Sequence, residues 1–75
     1  MRPRAVEVGF ANDCLEVELA DGRELRVPLA WFPRLRTAAP AELADWRLVG
    51  GGIGISWPRL DEDLSVAGLL GMGET

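Results

Sequence analysis

The densest group of potential ligands in the chain is Asp61-Glu62-Asp63. Carboxylates at one-residue spacing can contribute to a hard-cation shell or engage an arginine-rich partner. Such a shell takes about six or more oxygens, and the triplet offers only part of one. An EF-hand loop would also need a glycine and a distant glutamate at fixed offsets, and this stretch has neither. The plainer reading is a solvated acidic loop that brings negative charge to the start of a helix capped by Ser65. Gly50, Gly51, Gly52 and Gly54 invite a phosphate-loop reading. The Walker pattern ends in Gly-Lys-Ser/Thr, and the chain contains no lysine. A dinucleotide fingerprint opens a helix, whereas these glycines open a strand. They read as a tight turn.

Nucleophilic chemistry lacks its parts. Cys14 has no second cysteine, histidine or lysine to activate it, and Ser56 and Ser65 have no histidine or lysine base. Carboxylate pairs such as Asp45 with Asp61 are chemically possible, but no spacing in the sequence brings two of them into a pocket. No catalytic, metal or cofactor-binding residue is therefore assigned. Twelve acids against eight bases give a net charge of −4, which disfavours a general binder of nucleic acid or anionic membrane. All eight bases are arginine. Arg34, Arg36, Arg47 and Arg59 leave a minor nucleic-acid alternative, weak without a helix-turn-helix signal. No run free of charge and proline exceeds ten residues; Leu48 to Trp57, with four glycines, is one of that length and too short to span a membrane. Met1-Arg2-Pro3-Arg4 is not followed by the apolar stretch of a signal peptide, so the expected location is cytoplasmic.

These residues need elements to position them. The chain has 75 residues, 48% hydrophobic and 27% charged, which fits one small globular domain over 1–75 with a frayed tail at 72–75. Val6, Val8 and Phe10 alternate with Glu7 and Gly9; Leu15, Val17 and Leu19 with Glu16 and Glu18; Leu25, Val27 and Leu29 with Glu24, Arg26 and Pro28. That period of two marks three half-buried strands. Apolar sets on paired strands must share a face, and this fixes loop parity. A two-residue Asn12-Asp13 loop pairs Phe10 with Leu15 and Val8 with Val17. A three-residue loop Ala20-Asp21-Gly22 pairs Val17 with Leu25 and Leu15 with Val27, with Gly22 in the left-handed position of a type I turn with a G1 bulge. The opposite face then aligns Glu7, Glu18 and Glu24, and sets Glu16 against Arg26. Three like charges in a row fit a solvated sheet face or a basic partner.

Beyond Pro28 the period changes. Trp31, Phe32 and Leu35 fit a short helical turn begun near Pro33, and Pro40 opens a second helix over Ala41 to Trp46. Trp46 to Val49 and Ile53 to Trp57 read as strands around the glycine turn, with Ile53, Ile55 and Trp57 on one side. Ser65 caps a terminal helical turn, Val66 to Leu70, stopped by Gly71. The class is α+β: an N-terminal three-stranded antiparallel meander packed by short helices, with a further short hairpin near the C-terminus. At least two of Trp31, Trp46 and Trp57 belong in the core of so small a domain. Of the adjacent pair Trp31 and Phe32, one faces outward, where beside Pro33 and Arg34 it would make an interface anchor.

Val27-Pro28-Leu29, Trp31-Phe32-Pro33-Arg34-Leu35, Trp46, Gly52-Ile53-Gly54-Ile55, Trp57-Pro58 and Leu60-Asp61-Glu62-Asp63-Leu64-Ser65 resemble a small prokaryotic family of unknown function, DUF2442, and Asp21-Gly22-Arg23 fits the same pattern. The resemblance covers Val6 to Leu70. It departs at Ser56, where relatives often carry histidine. It implies a small α+β domain, often standing alone and often encoded beside a second small protein in an arrangement like a toxin–antitoxin pair. The resulting expectation is a non-catalytic interaction module without cofactor, binding a protein partner that is the product of a neighbouring gene. The candidate surface comprises Glu7, Glu16, Glu18, Glu24, Trp31, Phe32, Arg34, Asp61, Glu62 and Asp63. The alternative is a homo-oligomer that pairs through a sheet edge or exposed apolar residues.

Overall fold

Asn12 and Asp13 both adopt positive φ, 51° and 62°, in the computed structural model of the chain, which describes residues 3–73. Two consecutive left-handed residues make the tight turn whose twist suits a hairpin. It joins β1 (Ala5–Ala11) to β2 (Cys14–Leu19), pairing Phe10 with Leu15 and Val8 with Val17. The next loop closes with the Leu19 N–H donating to the Arg23 carbonyl at 2.8 Å and the Gly22 N–H to the Leu19 carbonyl at 3.0 Å, Gly22 having φ +93°. β3 (Glu24–Pro28) then pairs Leu25 with Val17 and Val27 with Leu15, the register that loop parity requires.

One feature of this sheet departs from the alternation. A bulge between Ala5 and Glu7 inserts a residue into β1. Parity reverses upstream of it, so Ala5 rather than Val6 turns inward, and Val6 is 48% exposed. The N-terminal approach is held there by the Ala20 N–H, which donates to the Arg4 carbonyl at 2.8 Å.

The connection is built from proline-started turns. A 3-10 turn, Leu29–Trp31, leads into α1 (Pro33–Arg36), and α2 (Pro40–Leu43) follows with the Ala39 N–H donating to the Glu42 carboxylate at 2.9 Å. Proline is tolerated at the first helical position, where its missing N–H has no partner to lose. The helix expected over Ala41 to Trp46 stops short at Leu43. The Trp57 indole N–H donates to the Leu43 carbonyl at 3.0 Å, taking the acceptor that another helical turn would use. Trp46 leads instead into β4.

β4 (Arg47–Val49), β5 (Gly54–Trp57) and β6 (Glu62–Ser65) form a second three-stranded antiparallel sheet in sequential order. The expected hairpin is thus extended by a third strand in place of the expected acidic loop. Asp61, at φ 52°, turns the chain after Pro58–Leu60, and Glu62 and Asp63 then pair with Trp57 and Ser56. Ile53 precedes β5 rather than opening it, and only Ile55 and Trp57 of the expected trio are buried. α3 (Val66–Gly73) is capped by Ser65, whose hydroxyl accepts from the Gly68 N–H at 3.0 Å. It runs through Gly71, which has no positive φ to stop it. Met72 and Gly73 of the expected frayed tail are therefore helical, and its remaining residues lie outside the described ones.

The class is α+β. Ala5, Val8, Leu15, Val17, Leu19 and Val27 from the first sheet meet Leu29, Phe32 and Leu35 from the connection, Ile55 and Trp57 from the second sheet, and Val66 and Leu69 from α3. Trp57 is the largest fully buried side chain, and its ring meets Phe10 edge to face at 6.5 Å.

Candidate functional site

With the apolar residues of β1–β3 turned inward, the register arranges the outer face of that sheet in three rows. Glu7, Glu18 and Glu24 lie side by side; Gly9, Glu16 and Arg26 form the next row; Ala11, Cys14 and Pro28 form the third. Directly opposed side chains have Cβ atoms about 4.5–5.5 Å apart, so each glutamate of the first row faces a like charge. The Arg26 guanidinium lies 2.8 Å from the Glu16 carboxylate, which compensates the middle row. Arg23, beyond the end of the first row, is held at 2.7 Å by Asp21. Among the described residues the row of Glu7, Glu18 and Glu24 makes no ion pair, and all three are exposed.

The turn beside this row carries a perturbed carboxyl. The Arg23 backbone N–H donates to Asp21 at 3.0 Å and, with the Arg23 guanidinium, holds the Asp21 carboxyl below the usual aspartate range.

The other candidate residues are distributed differently. Trp31 is 47% exposed and Phe32 is buried at 7%, so Trp31 is the outward member of the pair and Phe32 is a core residue, not part of a surface. Phe32 lies at the junction of the 3-10 turn and α1, where its ring packs inward with Leu29 and Leu35. Arg34 donates to the Asp61 carbonyl and lies 3.7 Å from its carboxylate, tying α1 to the turn before β6. The acidic triplet does not converge. Asp63 and Glu62 alternate along β6, with Asp63 exposed opposite Ser56 and Glu62 half-buried opposite Trp57, while Asp61 lies outside the strand. Among the described residues no three carboxylates or cysteines gather as a metal site would require.

Trp57 is fully buried and Trp46 half-buried. Gly50, Gly51 and Gly52 have φ of 61°, 72° and 104° and form the turn between β4 and β5. A Cβ at Gly52 would collide with the Ala5 carbonyl oxygen, so glycine is what lets this turn approach β1. Cys14 is half-buried in the third row, beside Ala11 and Pro28.

Glu16 and Glu24 belong to the surface expected from the sequence, whereas Leu25 and Arg26 beside them do not. An open depression of about 270 Å³ is lined by Glu16, Glu24, Leu25 and Arg26. The signal was the alternation of Glu24 and Arg26 on the last strand of the meander.

The pattern of a family described as "Protein of unknown function (DUF2442)" matches residues 5–74. Two solved structures share the fold. A protein of unknown function from Rhodospirillum rubrum ATCC 11170 superposes with a TM-score of 0.82 at 28% identity, covering 100% of this chain and 94% of that one. An uncharacterized protein from Chromobacterium violaceum, solved by NMR, gives a TM-score of 0.76 at 25% identity, covering 96% of this chain and 69% of that one. No curated protein matches the sequence.

Proposed function

We propose that this chain, which belongs to the DUF2442 family, is a non-catalytic interaction module that binds a basic protein partner on the outer face of its first sheet. The observation that carries the reading is the row of Glu7, Glu18 and Glu24, three adjacent exposed carboxylates on paired strands with no cation among them. Each like-charge contact costs about 0.2–1 kcal/mol in the free domain, and a partner presenting arginine or lysine along the row relieves that cost on binding. The chemistry of the side chains agrees with a role in binding rather than catalysis: no histidine or lysine accompanies Cys14, Ser56 or Ser65. The paired gene arrangement that the resemblance implies makes the product of a neighbouring gene the first partner to test. The module is then the antitoxin-like or accessory member of a cytoplasmic two-protein pair.

The experiment is co-purification of the tagged chain with the products of adjacent genes at low and high salt. A stoichiometric partner should be held at low salt and released at high salt, because exposed charge pairs are screened over about 10 Å at 0.1 M. Reversing Glu7, Glu18 and Glu24 to arginine should abolish capture. A partner retained in full by the triple variant would overturn the assignment of the acidic row.

A further inference from the structure

We infer that β3 pairs antiparallel with β3 of a second copy of this chain, joining two three-stranded sheets into one of six strands. β3 is an edge strand, and no other strand pairs with its outer side among the described residues. The bonds from the Leu29 N–H to Asp13 and from the Leu19 N–H to Arg23 show which residues of this strand face β2. By alternation Leu25 and Val27 also face β2, and the backbone N–H and C=O groups of Glu24 and Arg26 aim away from the sheet. Those groups form an unpaired template for a further strand.

Side-chain charge selects what fits that template. Of the edge strands, β1 carries Glu7 without a basic residue, β4 carries Arg47 without an acid, and β6 carries Glu62 and Asp63 without a base. β3 carries both signs, Glu24 and Arg26, on one face and two residues apart. Around a twofold axis at Leu25, Glu24 lies opposite Arg26 of the second copy and Arg26 opposite its Glu24. In this register both positions are hydrogen-bonded pairs, so four main-chain bonds form. Slipping by two residues either way sets glutamate against glutamate or arginine against arginine, and odd slips lose the hydrogen bonds. The half-buried Leu25 meets its counterpart at the axis. Pro28, with no N–H, ends the ladder on one side, and the Gly22 turn ends it on the other. An isologous contact of this kind closes at two copies.

The test is sedimentation equilibrium of the full chain up to about 1 mM, since so short a contact buries less than a standard interface and its dimer is weak. The mass should rise from 8.2 kDa toward twice that value with concentration. Glu24→Arg or Arg26→Glu alone should weaken the dimer by about tenfold or more, each replacing two attractive pairs by two repulsive ones. The double variant E24R/R26E should restore it, and circular dichroism checks that each variant is folded. A wild type that stays monomeric throughout would overturn the inference and leave the edge to a strand from another protein. So would a dimer indifferent to both single reversals, or one that the double variant fails to restore. The acidic-row reading is tested apart from this one with Glu7→Arg and Glu18→Arg, which leave Glu24 and Arg26 in place.

Discussion

Replacing Gly52 by alanine tests the packing of the two sheets most directly. Gly52 sits at φ +104°, and a Cβ there collides with the Ala5 carbonyl oxygen and comes within 3.2 Å of the Ala5 nitrogen. Holding an L-residue at such an angle costs about 1–2 kcal/mol. Displacing buried backbone to clear the overlap adds about 1–3 kcal/mol. The sum, about 2–5 kcal/mol, is a large share of the roughly 4–11 kcal/mol that a chain of this length holds. It should lower the melting temperature by roughly 8–40 °C. Two further glycines separate the contributions. Gly22 has φ +93° but nothing within 4 Å of an added Cβ, so Gly22→Ala carries the conformational cost alone. Gly9 has neither constraint, and Gly9→Ala in β1 should be neutral or stabilising by up to about 1 kcal/mol. Urea unfolding followed by tryptophan fluorescence gives all three values on one scale. If Gly52→Ala costs no more than Gly22→Ala, the close approach of the glycine turn to β1 is wrong.

Glu18 stands between Glu7 and Glu24, so Glu18→Lys turns two repulsive contacts into attractive ones. It should stabilise the free domain by about 0.5–2 kcal/mol in low-salt urea melts, with the gain shrinking as salt is added. Trp57→Phe removes the indole N–H bonded to the Leu43 carbonyl and leaves a gap beside Phe10, which should cost about 1–3 kcal/mol by thermal unfolding. Asp21 has its folded pKa lowered from 3.8 by the Arg23 backbone N–H and guanidinium. Its contribution is therefore complete above that value and lost as pH falls through the lower folded one. A carbon-detected NMR titration should place the Asp21 midpoint below 3.8, and Asp21→Asn should flatten the acid limb of the stability curve in that range.

The first sheet was legible because its apolar residues alternate cleanly and two loops of definite length allow one register each. Its outer rows followed from that register without further information. The bulge at Val6 was not legible. Val6 fits the alternation as well as Ala5 does, and the choice is made by the backbone of Gly52 and the Arg4–Ala20 bond, contacts distant in sequence. β6 does not show in the sequence as a strand because Leu64 is its one apolar residue, too few to make a period. The shortening of α2 rests on the Trp57 indole, fourteen residues away. Glu24, Leu25 and Arg26 were visible as a strand, but their value as an edge depends on β3 having a single neighbour.

Both sheets pair each strand with its immediate chain neighbour, in the orders β1-β2-β3 and β4-β5-β6. No crossover has to be closed before a ladder can form, so the entropy of loop closure is met in small steps. Each meander can nucleate at its own turns, Asn12-Asp13 in one and the glycine run in the other, and docking of the halves is left to Phe10, Trp57 and the connection between them. Folding should accordingly be quick for a chain with so much strand, and the slowest-exchanging amides should cluster within the meanders rather than in the segment that joins them.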